Sequence, residues 1–148
     1  MVIVDTSVLI DYLNGLTNPE TEWLDLRLDQ ERFGVTTIIV TEVLQGLRNE
    51  REAAAVESAL MEFEIVELHE MGLAVDAARN YRRLRQAGRA IHTTIDVLIA
   101  SYCIRHHHSL LHRDRDFDAF EDLLGLTVIH PQATDGHRPP IEHRLNTD

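Results

Sequence analysis

Apolar residues along the chain follow two rhythms. Short, mostly β-branched runs fall at 2–4 (VIV), 33–37 (FGVTT), 64–68 (EIVEL), 109–112 (SLLH) and 127–130 (TVIH), and each reads as a strand. Between them lie longer stretches in which apolar residues return every three or four positions, the spacing of one helix face: 7–13, 17–28, 38–47, 51–63, 71–88, 93–107 and 116–125. Asn18 followed by Pro19 marks a helix start, and Gly88 and Gly125 stand where helices should stop. Strands alternating with helices predict an α/β fold, a sandwich around a mainly parallel sheet. No internal repeat is visible. After Pro131 the chain turns polar and proline-bearing, which predicts one domain over 1–131 and a mobile tail over 132–148.

Composition narrows the class. The 148 residues are enough for one well-buried domain, and 44% hydrophobic with 26% charged residues is ordinary for a soluble protein. No apolar run approaches the roughly 20 residues that cross a bilayer, and Asp5 and Asp11 interrupt any signal-like segment, so a cytoplasmic, membrane-free protein is expected. The single cysteine, Cys103, rules out an internal disulfide and a cysteine metal cluster. Net charge is −11, and all fourteen bases are arginine. A nucleic-acid substrate would therefore need metal ions and a local arginine patch to offset the global field. The lack of lysine removes a Walker A loop, a Schiff-base enzyme and a phospho-acceptor receiver.

The acids carry the candidate chemistry. Asp5 ends a buried strand, where parallel sheets form their sites, although capping the next helix would also explain it. Glu42 shares a helix face with Ile38, Ile39 and Gly46, an acid embedded in an apolar stripe. Asp96 shares a face with Ile99, Ala100 and Cys103, while Thr93-x-x-Asp96 also fits a capping box. Asp114 and Asp116 follow the fourth strand, and either could cap the closing helix. Together they place acids from four segments along one sheet edge. Like charges brought that close destabilise a fold unless a cation joins them. Hard oxygen ligands suit Mg²⁺ or Mn²⁺, and no EF-hand loop is present.

These segments resemble a known family. VIVDTSVLIDYL, the TEVLQGL glutamate, the TIDVLIAS aspartate and HRDRDFD are similar, in order and spacing, to the four acidic motifs of PIN-domain ribonucleases, and especially to the VapC toxins of VapBC toxin–antitoxin systems. The resemblance covers roughly residues 2–130. It implies a three-layer α/β/α sandwich and Mg²⁺- or Mn²⁺-dependent endoribonuclease activity on RNA. It also implies a cognate antitoxin covering the active site, a homodimer and a toxin–antitoxin hetero-oligomer. Asp5, Glu42, Asp96 and Asp114 match the acidic quartet as catalytic and metal-binding residues, and Asp116 matches a frequent extra acid. On that footing Asp5 and Asp96 are the main ligands, Asp114 completes the site, and Glu42 activates water or holds a second metal. Thr6 or Ser7 would support Asp5. His112 is a departure, standing where many relatives carry Ser or Thr.

Other residues have plainer readings. Leu73, Ala77, Tyr81 and Leu84 form an apolar helix face, with Arg79, Arg82, Arg83, Arg85 and Arg89 opposite, either a solvated face or a phosphate track. Arg113 and Arg115 should lie near the acids. His106, His107 and His108 suit a helix C-terminus. His69, His92 and His130 lack ligand spacing, Cys103 reads as core, and Trp23 as a packing or partner contact. A dehalogenase-like phosphatase needs D-x-D at Asp5, and a serine hydrolase needs G-x-S-x-G; neither is present. A catalytically idle binding module and a DNA nuclease are the remaining alternatives.

Overall fold

A computed structural model of the chain describes residues 1–132. The expected tail, apart from Gln132, lies outside the described residues. Five strands form one sheet: β1 (Val2–Val4), β2 (Phe33–Thr36), β3 (Glu64–Val66), β4 (Ser109–Leu111) and β5 (Thr127–Val128). Seven α-helices accompany them: α1 (Thr6–Leu13), α2 (Pro19–Arg27), α3 (Thr37–Gln45), α4 (Glu50–Leu60), α5 (Met71–Gln86), α6 (Thr94–His106) and α7 (Asp118–Leu124). Every pairing is parallel and the strand order is β3-β2-β1-β4-β5, so the order reverses between β1 and β4. The expected parallel α/β/α sandwich is the observed one.

β2 ends one residue before its apolar run because the next residue is committed to a helix start. Thr36 closes β2 and its hydroxyl accepts the Ile39 N–H at 3.1 Å, so α3 begins at Thr37. Asn18 caps α2 with a reciprocal Thr21 bond ahead of Pro19. The expected helix over 116–125 is divided: Asp114 first caps a 3₁₀ turn, Arg115–Phe117, and α7 starts only after it. Gly88 and Gly125 stop α5 and α7 at φ +75° and +76°, in the left-handed region that glycine enters without steric cost.

The core lies where β1 and β4 meet the helices. Val2, Ile3, Val4, Leu110 and Leu111 are buried, whereas edge strand β3 exposes Glu64 and Ile65. Arg32 grips Glu64 through two bonds of 2.8 and 2.7 Å, giving that edge a charged rim. The helices pack in two groups, α1 with α2 and α3, and α5 with α6 and α7. One expectation fails in α5. Tyr81 is exposed and sits under the Arg85 guanidinium, and Asn80 takes its place in the interior. Asn80 can be buried because its amide donates to Ser101 Oγ of α6 at 3.0 Å.

Phe117 anchors the 3₁₀ turn. Fully buried, it packs at a tilt against His112 and Phe120, with ring centroids 5.0 and 6.5 Å away. Phe117→Ala is expected to cost about 3–5 kcal/mol, read as a lower urea midpoint at unchanged slope. A change under about 1 kcal/mol would show that the turn is held by its hydrogen bonds instead.

Candidate active site

The strand reversal between β1 and β4 opens a crevice at their carboxyl ends, and the acids gather there. Asp5 follows β1, is 5% exposed, and its N–H bonds to Leu111 O of β4 at 3.0 Å. It does cap α1: Oδ2 accepts the Ser7 N–H at 3.1 Å and the Ser7 hydroxyl at 2.7 Å. Ser7 Oγ also accepts the Arg113 N–H at 3.0 Å, tying the start of α1 to the segment after β4. Of the two hydroxyls expected near Asp5, Ser7 serves Asp5, while Thr6 donates to Glu42 Oε1 at 3.1 Å. Burial pushes the Asp5 carboxyl above its ordinary range, and the Ser7 bonds only partly offset it. Glu42 is also raised, by burial and then by the Asp5 charge.

Asp96 sits in the first turn of α6. Its N–H makes the cap bond, to Thr93 Oγ1 at 3.1 Å, and its carboxylate also accepts from the Thr93 hydroxyl. The same carboxylate comes together with those of Asp114 and Asp116, one ligand oxygen from each lying within 4.8 Å of the others. Burial, followed by the charges of Asp5, Asp114 and Asp116, pushes Asp96 up to about 6. Asp114 caps the 3₁₀ turn through Oδ1, which accepts the Asp116 N–H at 2.9 Å. Capping and convergence therefore coexist in these aspartates. Asp5 lies outside the 4.8 Å set but close enough for its charge to act on both Asp96 and Glu42.

His112, the departure from the family pattern, acts as an acceptor here. Its Nδ1 accepts the Asp114 N–H at 3.1 Å, so the ring is the neutral Nε2–H tautomer, and burial pushes its pKa down. Nε2 is buried without a partner. His92, which sequence spacing gave no role, brings Nδ1 within 3.0 Å of Asp116 Oδ1. The two lie 24 positions apart, and only the fold reveals the contact. Arg113 offers the site its backbone N–H while its guanidinium turns to Glu20 at 2.6 Å, and Arg115 is exposed. On α5, Arg79 pairs with Asp76 and Arg85 lies over Tyr81, and just beyond the helix Arg89 pairs with Asp122, leaving Arg82 and Arg83 exposed to solvent. Cys103 lies fully buried behind Asp5 and Asp96, its thiol pushed up to about 12 by burial, an inert core residue. Trp23 packs edge-on against Phe33.

The PIN domain model matches residues 2–123, nearly the whole described chain. The chain belongs to the PIN-domain family. Among curated relatives it is similar to Ribonuclease VapC11 of Mycobacterium tuberculosis, 28% identical over 131 residues, covering 85% of this chain and 96% of that protein. The PIN fold recurs in solved structures. In VapBC2 from Rickettsia felis, bound to a promoter DNA fragment, the matching chain has a TM-score of 0.72 at 19% identity, covering 87% of this chain and 98% of that one. VapBC-5 of Mycobacterium tuberculosis, a member of the VapBC family of toxin–antitoxin systems, gives 0.64 at 20% identity, covering 86% and 95%.

The raised Asp96 sets a pH dependence. Without metal, the folded protein retains a proton on Asp96 that the unfolded chain releases at 3.8, so the fold loses stability as pH climbs from there through about 6. Above that pH the penalty is complete. Asp96→Asn removes it, and the metal-free variant should melt a few degrees above wild type at pH 7.5, the gap closing toward pH 4. A variant that melts lower than wild type at both pH values would mean that the carboxylate supports the fold.

Proposed function

We propose that the chain is the toxin of a type II toxin–antitoxin pair, an endoribonuclease that depends on Mg²⁺ or Mn²⁺ and is inhibited by a cognate antitoxin. The carrying observation is the convergence of Asp96, Asp114 and Asp116, with Asp5 beside them, at the strand-reversal crevice of a PIN fold. The donor set fits a hard divalent cation. The three clustered ligands are all carboxylate oxygens, and among the described residues no arginine pairs with any of them. Asp96 and Asp114 would hold the ion together with Asp116, and Asp5 would ligate it directly or through water. Bound there, it supplies a Lewis acid for the phosphodiester and makes water a better nucleophile.

The chain's own residues do the rest. Ser7 fixes the Asp5 carboxylate and His112 fixes the Asp114 backbone, so both acids meet the substrate already oriented. Thr6 holds Glu42 by Oε1, which leaves Oε2 to accept a proton from the attacking water. The raised affinity of Glu42 for a proton suits it to that task. In-line attack by water leaves a 5′-phosphate and a 3′-hydroxyl without using the ribose 2′-OH. RNA as substrate is supported by similarity to Ribonuclease VapC11 and an antitoxin partner by similarity to the VapBC proteins; in this reading the antitoxin covers the crevice and assembles with toxin dimers. The exposed arginines of α5 would steer phosphates toward an otherwise acidic protein.

A narrow substrate would escape a generic digest, so total cellular RNA with sequencing of the cut ends is the appropriate assay. The purified chain should cut a small set of unpaired sites and leave 5′-phosphates. EDTA should abolish cutting and Mn²⁺ restore it, and Asp96→Asn should lower the rate at least about 100-fold. Cutting that persists in EDTA, or that leaves cyclic phosphates, would contradict the reading. Selective cutting of DNA would favour the DNA-nuclease alternative.

A further inference from the structure

The connector between α5 and α6, residues 87–93, is held at several points. Gly88 turns the chain out of α5, and the Arg89 N–H closes that turn on Leu84 O at 2.9 Å. The Arg89 guanidinium places both terminal nitrogens 3.2 Å from Asp122 Oδ2 on α7. Thr93, at the other end, is the cap of α6. Between these fixed points stands His92. Its side chain is 68% exposed, so packing does not dictate where it points; the 3.0 Å contact with Asp116 Oδ1 does.

No arginine sets the rotation of the Asp116 carboxylate among the described residues, and its own backbone N–H donates to Asp114 Oδ1. A donor on Oδ1 fixes that rotation and leaves Oδ2 for a further partner. Outer partners that orient a ligating carboxylate commonly control metal affinity as much as geometry does. An arginine in the same place would add a permanent charge that competes with the cation.

We infer that His92 is a positioning residue: through Nδ1–H it turns the Asp116 carboxylate toward Asp96 and Asp114, completing the divalent-cation site. The inference rests on the metal-dependent reading of that site.

Isothermal titration of Mn²⁺ into the full chain at one fixed pH, with melting temperatures taken without metal, tests it. His92→Ala should bind Mn²⁺ about 10-fold more weakly. Being exposed, it should leave the metal-free melting temperature within about 2 °C of wild type. His92→Asn should restore binding, because its amide nitrogen hangs from Cγ as Nδ1 does. In an Asp116→Ala background, His92→Ala should cost nothing further, since its partner is gone. Unchanged or tighter binding by His92→Ala overturns the inference, as does a full extra loss in the Asp116→Ala background. If wild type binds no Mn²⁺ at all, the metal reading fails, and the inference with it.

Discussion

Carboxylates crowded at the carboxyl ends of β1 and β4 are the constraint around which this protein is arranged. Two unit charges a few ångströms apart repel by about 1 kcal/mol in water and several times that near a protein surface. The fold accepts that repulsion at Asp96, whose proton affinity is pushed up to about 6 by burial and by the neighbouring acids. What holds the acids in place is almost entirely neutral. Ser7 serves Asp5, Thr6 serves Glu42, and Thr93 and His112 receive the backbone N–H groups of Asp96 and Asp114. Such partners orient a carboxylate without cancelling its charge.

The arginines keep to other tasks. Arg113, next to the site in sequence, sends its guanidinium to Glu20 and contributes only a main-chain bond to Ser7. Arg89 serves Asp122, Arg105 serves Asp76 and Glu70, and Arg32 guards the β3 edge. A protein built only for stability would have spent an arginine on its most crowded acids, and among the described residues none pairs with Asp96, Asp114 or Asp116. Leaving them unpaired is the kind of local conflict that proteins keep at functional sites. In the proposed reading, a divalent cation held there would relieve it and would supply the electrophile that the chemistry requires.

The alternation of β-branched runs with helical periods identified every strand and helix, because each buried element carries its period in its own residues. Boundaries slipped by one to three residues; at β2 the reason is that Thr36 both ends the strand and caps α3, and before α7 that Asp114 caps a 3₁₀ turn first. The candidate acids stood out in the sequence because an acid on a buried face or at a strand end violates the pattern around it, and the fold brings Asp96, Asp114 and Asp116 together, with Asp5 near enough for its charge to act on Asp96 and Glu42. Three features were not legible. Asn80 replaced Tyr81 in the interior through a partner on another helix, Ser101, which no helical wheel contains. Thr6 and Ser7 divided their roles according to which acid lay nearer in space. His92 reached Asp116 across 24 positions from an exposed connector, a place where periodicity carries no information.

The central claim is that these carboxylates form one cation site, and diffraction tests it most directly. Crystals grown with Mn²⁺ and measured at the manganese edge should show an anomalous peak at about 2.0–2.2 Å from oxygens of Asp96, Asp114 and Asp116, with Asp5 facing it directly or through water. An ordered crevice without such a peak, its acids paired instead with arginines or capped by backbone alone, would contradict the account.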